Sequence, residues 1–416
     1  MEEADHENAY MKKLYPLILL CLSGSVLAKD GEVWIGTWAI NPTGLPNVTR
    51  LGSFTLPVPT TVKGTVRYRL RISQGGNQIR LRFSNEYSDK PLTINAATVG
   101  LAATGLDAAQ GSLKVVTFGD RPAATIPAGA PILSDAIPLR VTALADLVVS
   151  IHVDGLPVNF CPDNIPVSDQ VAVENADATR EEHLTNAKCT FLTRPVVSAV
   201  NVLSAGPRNV VVTLGDSITD GTVNPQTGDR GWPGVLSRRL QGANVSVVNA
   251  GIAGNRLLQA MPMFGAPALS RLDRDVLSVP GITHIVLLEG INDIGTSGPG
   301  GMFGDSPLVE PQDLIGAYQQ IIARAHQRGI KVIGATILPF EGAMYYSAEK
   351  EAIRTTVNQW IRTAKKFDGV IDFDAAVRDP ANPGKLKAEY DSRDHLHPSA
   401  EGYRKMGEVI DLTLFK

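Results

Sequence analysis

The spacing of apolar residues changes character near residue 209, and this change limits the possible folds more than any other feature. From about residue 32 to 155 the period is two. Val66, Tyr68, Leu70 and Ile72 alternate with Arg67, Arg69 and Arg71; Ile79, Leu81 and Phe83 alternate with Arg80 and Arg82; Leu147, Val149, Ile151 and Val153 alternate with Val148, Ser150 and His152. Side chains two apart share one face of a strand, so each segment predicts a strand with a buried and a wetter face. Turn signals such as Gln74-Gly-Gly-Asn77 and Pro127-Ala-Gly129 separate them. Many short strands with almost no helical periodicity predict an all-β sandwich, jelly-roll-like. The strand arginines are expected to form a solvated face paired with local acids.

Beyond residue 209, strand-length apolar runs alternate with helical stripes. The runs are Val210–Leu214, Val245–Asn249, His284–Leu288, Lys331–Ile337 and Val370–Phe373. Leu314, Ile315, Tyr318, Ile321, Ile322 and Ala325 form one stripe, and Ile353, Val357, Trp360, Ile361 and Ala364 another. Tyr403, Met406, Val409 and Ile410 mark a last helix, with Ser399 as its N-cap. Repeated strand–helix units predict a parallel sheet of five strands covered on both faces.

At 416 residues the chain is long enough for two domains. A formal charge of −3 gives no reason to expect a nucleic-acid partner. Met11-Lys-Lys, an apolar run from Leu14 and a small-residue end at Ala28 read as a cleavable signal peptide over 1–28, with residues 1–10 a misassigned or non-native extension. The run is too short for stable membrane insertion. Secretion or a periplasmic location is therefore expected. Cys21 leaves with the signal, and the remaining pair, Cys161 and Cys189, predicts a structural disulfide.

In an open parallel sheet, chemistry collects just past the carboxyl ends of the strands. The first run is followed by Gly215-Asp216-Ser217, the second by Ala250-Gly251-Ile252-Ala253-Gly254-Asn255, and the third by Gly290-Ile-Asn292-Asp293. After the fifth come Asp394 and His397. These residue types suit acyl transfer: Ser217 as nucleophile, His397 as its base, and Asp394 to orient the ring. The backbone N–H groups of Ser217 and Gly251 and the side-chain amide of Asn292 are candidate oxyanion donors, each worth about 3 kcal/mol to a transition state. Asp216 reads as a loop-fixing acceptor at the cleft, and Arg256 as a residue that faces the cleft or packs on a helix. His395 reads as a surface residue, although residues two apart share a face if the segment is extended. The glycines of Thr296–Asp305 suggest a flap over the cleft. Without a His-Glu-x-x-His or another distant ligand group no metal is expected, and the spacing of Gly251 and Gly254 does not fit a dinucleotide fingerprint.

Together the Gly215-Asp-Ser217-Ile, Asn249-Ala-Gly251, Gly290-Ile-Asn292-Asp293 and Asp394-His-Leu-His397 blocks resemble those of the GDSL/SGNH hydrolases, in the family's order and over about 205–416. The resemblance implies a flavodoxin-like three-layer α/β/α fold and a Ser-His-Asp esterase using Ser217, Gly251, Asn292, Asp394 and His397, with no cofactor. Trp34-Ile-Gly-Thr-Trp-Ala39 resembles the β-sandwich that precedes the catalytic domain in some exported members. The expected organisation is a β-sandwich accessory domain over 30–205 and a catalytic domain over 206–416. The expected substrate is a short acyl ester, acetyl on a small molecule or polysaccharide, with a lipid or aryl ester, or an inactive carbohydrate-binding protein, as the alternatives.

Overall fold

The computed structural model describes residues 31–44, 50–51, 54–55, 59–161, 169–191, 195–205, 209–221, 230–260, 262–299 and 306–416. The signal-peptide reading and the 300–305 part of the expected flap lie outside these residues.

Among the described residues, two large antiparallel sheets and a small two-stranded one, Arg50–Leu51 with Phe54–Thr55, occupy the N-terminal region. One has four strands, in the order Glu32–Ala39, Val197–Ala205, Gln78–Ser84 and Pro131–Leu133. The other has seven, with Thr60–Arg71, Asp146–Phe160 and Leu92–Leu101 at its centre. The period-two pattern is plain in Gln78–Ser84, where Ile79, Leu81 and Phe83 are buried and Arg80 and Arg82 are part-exposed. The ring of Phe83 meets Phe118 edge-on at 5.4 Å.

The arginine face departs from expectation at Arg67. Arg69 and Arg71 do pair with a local acid, Asp146, at 2.7 and 2.8 Å. Arg67, however, is fully buried. Its Nε donates to Ser150 Oγ at 2.7 Å, and its Nη atoms donate to the carbonyls of Leu106, Glu181 and Glu182. Segments from elsewhere in the chain cover this part of the sheet, and carbonyl acceptors replace the water that the charge would otherwise require. Cys161 and Cys189 are joined by a disulfide, with Cα atoms 5.3 Å apart.

From residue 209 the chain forms a five-stranded sheet: β1 (Asn209–Gly215), β2 (Val245–Gly251), β3 (Ile282–Leu288), β4 (Lys331–Ala335) and β5 (Gly369–Ile371). All neighbours are parallel and the order is β2-β1-β3-β4-β5. Two strands stop earlier than their apolar runs suggest. Thr336 Oγ1 donates to Asp372 Oδ1 at 2.9 Å, and Asp372 caps the helix that begins at Phe373, so Phe373 belongs to that helix and not to β5.

The helices bury most of the stripes read from their periodicity, with Trp360 and Ala364 only part-buried. Pro311–His326 buries Leu314, Ile315, Tyr318, Ile321, Ile322 and Ala325, and Ala348–Thr363 buries Ile353, Val357 and Ile361. Ala400–Val409 is capped by Ser399, whose side chain accepts from Gly402 N, and it buries Tyr403 and Met406 while Val409 stays exposed. Each large aliphatic buried here contributes roughly 2 kcal/mol.

β2 is an edge strand, and the N-terminal sheet covers it. Ser73 Oγ accepts the Val247 N–H at 3.1 Å and lies 2.8 Å from Ser246 Oγ, which donates to the Gly36 carbonyl at 2.7 Å. Gly36 N donates in turn to Pro280 O at 2.9 Å. A Cβ on Gly36 would lie 2.5 Å from Val279, so the close approach requires glycine there. These bonds satisfy polar groups that an open edge would leave exposed.

Candidate active site

β1 ends in Gly215, where a Cβ would meet Thr219 Oγ1 at 2.2 Å and Leu288 O at 2.4 Å. Asp216 then turns the chain. Its carboxylate accepts Ile218 N at 2.9 Å and caps the short helix Ser217–Asp220, which places Ser217 at the carboxyl edge of the sheet. Ser217 Oγ lies 2.8 Å from His397 Nε2, and His397 Nδ1 lies 2.6 Å from Asp394 Oδ2. Residues 180 apart in sequence are thus in direct hydrogen-bond contact.

The other oxygen of Asp394 anchors the loop. Oδ1 accepts Leu396 N at 3.0 Å, His397 N at 2.8 Å and Ser392 Oγ at 2.9 Å. Partial burial opposes ionisation, but the bonds from the His397 side chain and backbone prevail and hold the carboxyl well below the ordinary range. Asp394 is therefore a carboxylate near neutrality and can fix the His397 tautomer with the proton on Nδ1 and a lone pair on Nε2 facing the hydroxyl.

A cavity of about 550 Å³ opens over this array. Ser217, Gly254, Asn292 and His397 line it, with Phe264, Tyr345 and Leu396 among its apolar walls. Asn292 sits in the first turn of the helix Ile291–Thr296, directly after β3. Its Nδ2 donates to the Asn255 carbonyl at 2.9 Å, and Tyr345 Oη donates to its Oδ1 at 3.5 Å. One amide hydrogen holds the side chain in place, and the second remains for a ligand in the cavity.

Three residues sit differently from their sequence reading. The Gly251 N–H donates to Asn249 Oδ1 at 2.8 Å, and Gly251 does not line the cavity. Its lack of a side chain serves packing instead, since a Cβ would lie 2.3 Å from Asp220 N. Gly254, three residues on, lines the cavity in a left-handed conformation (φ 72°), and a Cβ there would lie 2.6 Å from the Phe264 ring. Asp216 is buried beneath the cavity rather than in it, and burial pushes its carboxyl up to about 7. Arg256 is turned away, with Nη1 donating to Gln259 Oε1 at 3.0 Å and Nη2 to Ala260 O at 3.2 Å. His395 is exposed, as its reading as a surface residue expects, and it also borders the cavity.

Beneath the site lies an arrangement that sequence reasoning missed. Arg271 is buried, and its guanidinium donates to Ala250 O at 2.8 Å, Gly215 O at 3.1 Å and Asn255 Oδ1 at 2.9 Å. It therefore ties the ends of β1 and β2 to Asn255, the residue that holds Asn292. Glu289 lies 3.9 Å from Arg271, and burial, with the charge of Asp216, pushes its carboxyl well above the ordinary range. Asp293 accepts Leu257 N at 2.7 Å and Leu258 N at 3.0 Å, and burial raises it to about 6. A single arginine in a short helix carries no sequence signal for such a role. Among the described residues no group of acids, histidines or cysteines is arranged to hold a metal, and no helix is long and apolar enough to cross a membrane.

Comparisons with known proteins bear on this site. The GDSL-like Lipase/Acylhydrolase family profile matches residues 213–405. No curated protein matches the chain. Similar solved structures include a lipase/acylhydrolase from Enterococcus faecalis, 22% identical over 49% of this chain and 92% of that one, with a TM-score of 0.37. An acetyl-xylooligosaccharide esterase from Geobacillus is 18% identical over 49% and 93%, with a TM-score of 0.38. A carbohydrate acetylesterase from Sinorhizobium meliloti is 15% identical over 48% and 95%, with a TM-score of 0.37. The family match spans the strands and helices that carry Ser217, Asn292, Asp394 and His397, and residues 213–405 form a GDSL-like lipase/acylhydrolase domain, the kind found in carboxylic ester hydrolases.

Proposed function

We propose that this protein is an exported serine esterase that cleaves short acyl esters, acetyl on a carbohydrate foremost, through an acyl-enzyme on Ser217. The observation that carries the reading is the unbroken chain from Asp394 Oδ2 to His397 Nδ1 at 2.6 Å and from His397 Nε2 to Ser217 Oγ at 2.8 Å, opening on a cavity. In the first step His397 Nε2 takes the Ser217 hydroxyl proton as Oγ attacks the ester carbonyl carbon. The carbonyl oxygen becomes an oxyanion, held by the Ser217 and Gly254 backbone N–H groups and by Asn292 Nδ2. Collapse breaks the carbon–oxygen bond to the alcohol, which leaves with the proton from His397. Water, deprotonated by His397, then releases the acid and restores Ser217.

Gly254 takes the oxyanion role instead of Gly251 because it faces the cavity, while the Gly251 N–H is engaged by Asn249. A short acyl group suits walls closed by Phe264 and Tyr345, which pack directly on Gly254 and Gly295. The strand order β2-β1-β3-β4-β5 supports reading residues 206–416 as a flavodoxin-like catalytic unit, and the two preceding antiparallel sheets as an accessory sandwich. Export rests on the leader-like sequence before Ala28.

A serine-directed phosphonate followed by peptide mass mapping tests the assignment. An adduct on Ser217, absent from His397→Ala, is expected. A folded protein that takes no label at Ser217 would refute the enzyme reading and favour an inactive binding module.

A further inference from the structure

The loop that carries His397 holds a second aspartate–histidine pair of the same construction. Asp391 Oδ1 accepts Arg393 N at 2.8 Å and His395 N at 3.0 Å, while Oδ2 lies 2.6 Å from His395 Nδ1. Asp394 does the same one step along, with Oδ1 on the backbone N–H groups of Leu396 and His397 and Oδ2 on the His397 ring. Both histidines border the cavity that contains Ser217. Only one of them touches the serine hydroxyl, so the acid–base chemistry leaves the second pair unused.

The structure holds His395 in place at some cost. Its backbone is left-handed (φ 60°), as is that of Arg393 (φ 80°), conformations that non-glycine residues adopt rarely. The ring rests on Gly342, itself at φ 105°, where a Cβ would come within 2.9 Å of the ring carbons. The side chain is half-exposed, so this seat fixes the direction of the ring without burying it. With Nδ1–H engaged by Asp391, the neutral ring presents Nε2 as a hydrogen-bond acceptor, and among the described residues no protein group occupies it.

The reaction defines which part of the substrate lies there. The leaving oxygen must face His397 Nε2 to receive its proton, so the alcohol lies on the side of the 391–397 loop, across from Gly254 and Asn292. We propose that the Asp391–His395 pair recognises the leaving alcohol, His395 Nε2 accepting a hydrogen bond from a free hydroxyl on the carbon next to the ester. The preferred substrate is then a monoester of a vicinal diol, as in a partly acetylated sugar. This rests on the esterase reading and adds a selectivity that reading does not contain.

The test compares three esters with wild type, His395→Ala and His395→Phe, the last keeping a ring over Gly342 without the acceptor. The esters are a methyl glycoside monoacetate with a free neighbouring hydroxyl, the same compound O-methylated at that hydroxyl, and p-nitrophenyl acetate. Both variants should lose about ten-fold in kcat/KM on the free-hydroxyl ester, the scale of one hydrogen bond, and stay within about two-fold of wild type on the other two. Equal losses on all three would assign His395 to loop structure, and no loss on any would leave it without a role. A wild-type enzyme that labels at Ser217 but treats both sugar esters alike would overturn the recognition role and leave the esterase intact. Failure of labelling and of all three hydrolyses would overturn both.

Discussion

Asn292 Nδ2 donates to the carbonyl of Asn255 at 2.9 Å, and this bond fixes the amide of a residue that lines the cavity above Ser217. Asn255 is in turn held by Arg271 Nε at 2.9 Å and donates to the carbonyls of Phe264 at 2.6 Å and Ala266 at 2.9 Å. The amide is thus oriented before any substrate arrives, the condition under which a donor stabilises developing charge most. Asn292→Ala should lower kcat by roughly 10²–10³-fold with KM little changed. Steady-state kinetics on p-nitrophenyl acetate reads both, and a loss confined to KM would deny the oxyanion role.

Asp394→Asn is expected to fold and to fail in turnover. An asparagine can still accept Leu396 N and His397 N through its carbonyl oxygen, which keeps the loop. Its amide then points N–H at His397 Nδ1, forces the proton onto Nε2 and removes the base. The expected loss in kcat is about 10⁴-fold, with an unchanged circular dichroism spectrum. Near-normal turnover would mean that another group orients His397.

Arg271 joins two strand ends to Asn255, which holds Asn292. Replacing it with Met keeps much of its volume but leaves Gly215 O, Ala250 O and Asn255 Oδ1 without this donor in a buried region. A loss of roughly 3–5 kcal/mol in urea denaturation is expected, as for other broken buried charge networks. Arg271→Lys should recover little, because an ammonium cannot reproduce the planar fork.

The raised carboxyl of Asp216 gives a pH dependence with a definite sign. Its folded pKa of about 7 exceeds the unfolded value near 3.8, so between these limits the folded state holds more protons. Stability from this group is complete below the unfolded pKa and is lost as pH rises through about 7. Asp293, raised to about 6, acts in the same direction. Asp216→Asn can still accept Ile218 N and does not ionise, so it should flatten the decline between about pH 4 and about pH 8. Urea midpoints across that range measure the difference, and parallel curves for the two proteins would refute it.

Local pattern made much of the architecture legible. A period of two after Val66 and of 3.6 after Leu314 reports which faces of an element are apolar, and those faces are the buried ones in Gln78–Ser84 and Pro311–His326. Ser217, Asn292, Asp394 and His397 were readable because each follows a strand end or precedes a helix start, and parallel strands bring such ends to one edge. What remained hidden depends on partners remote in sequence. Arg67 looks like its exposed neighbours until segments at Leu106 and Glu181 cover it. Gly251 and Gly254 are equivalent by type, and only the path of the turn shows that Asn249 engages the N–H of the first while the second lines the cavity. His395 borders the cavity from the surface and Arg256 turns away from it, because backbone conformation, not spacing, aims a loop side chain. Residue types and their order carried the chemistry of the chain; the direction of each hydrogen bond was decided by tertiary contact, because a buried polar group takes whatever partner the fold brings within about 3 Å.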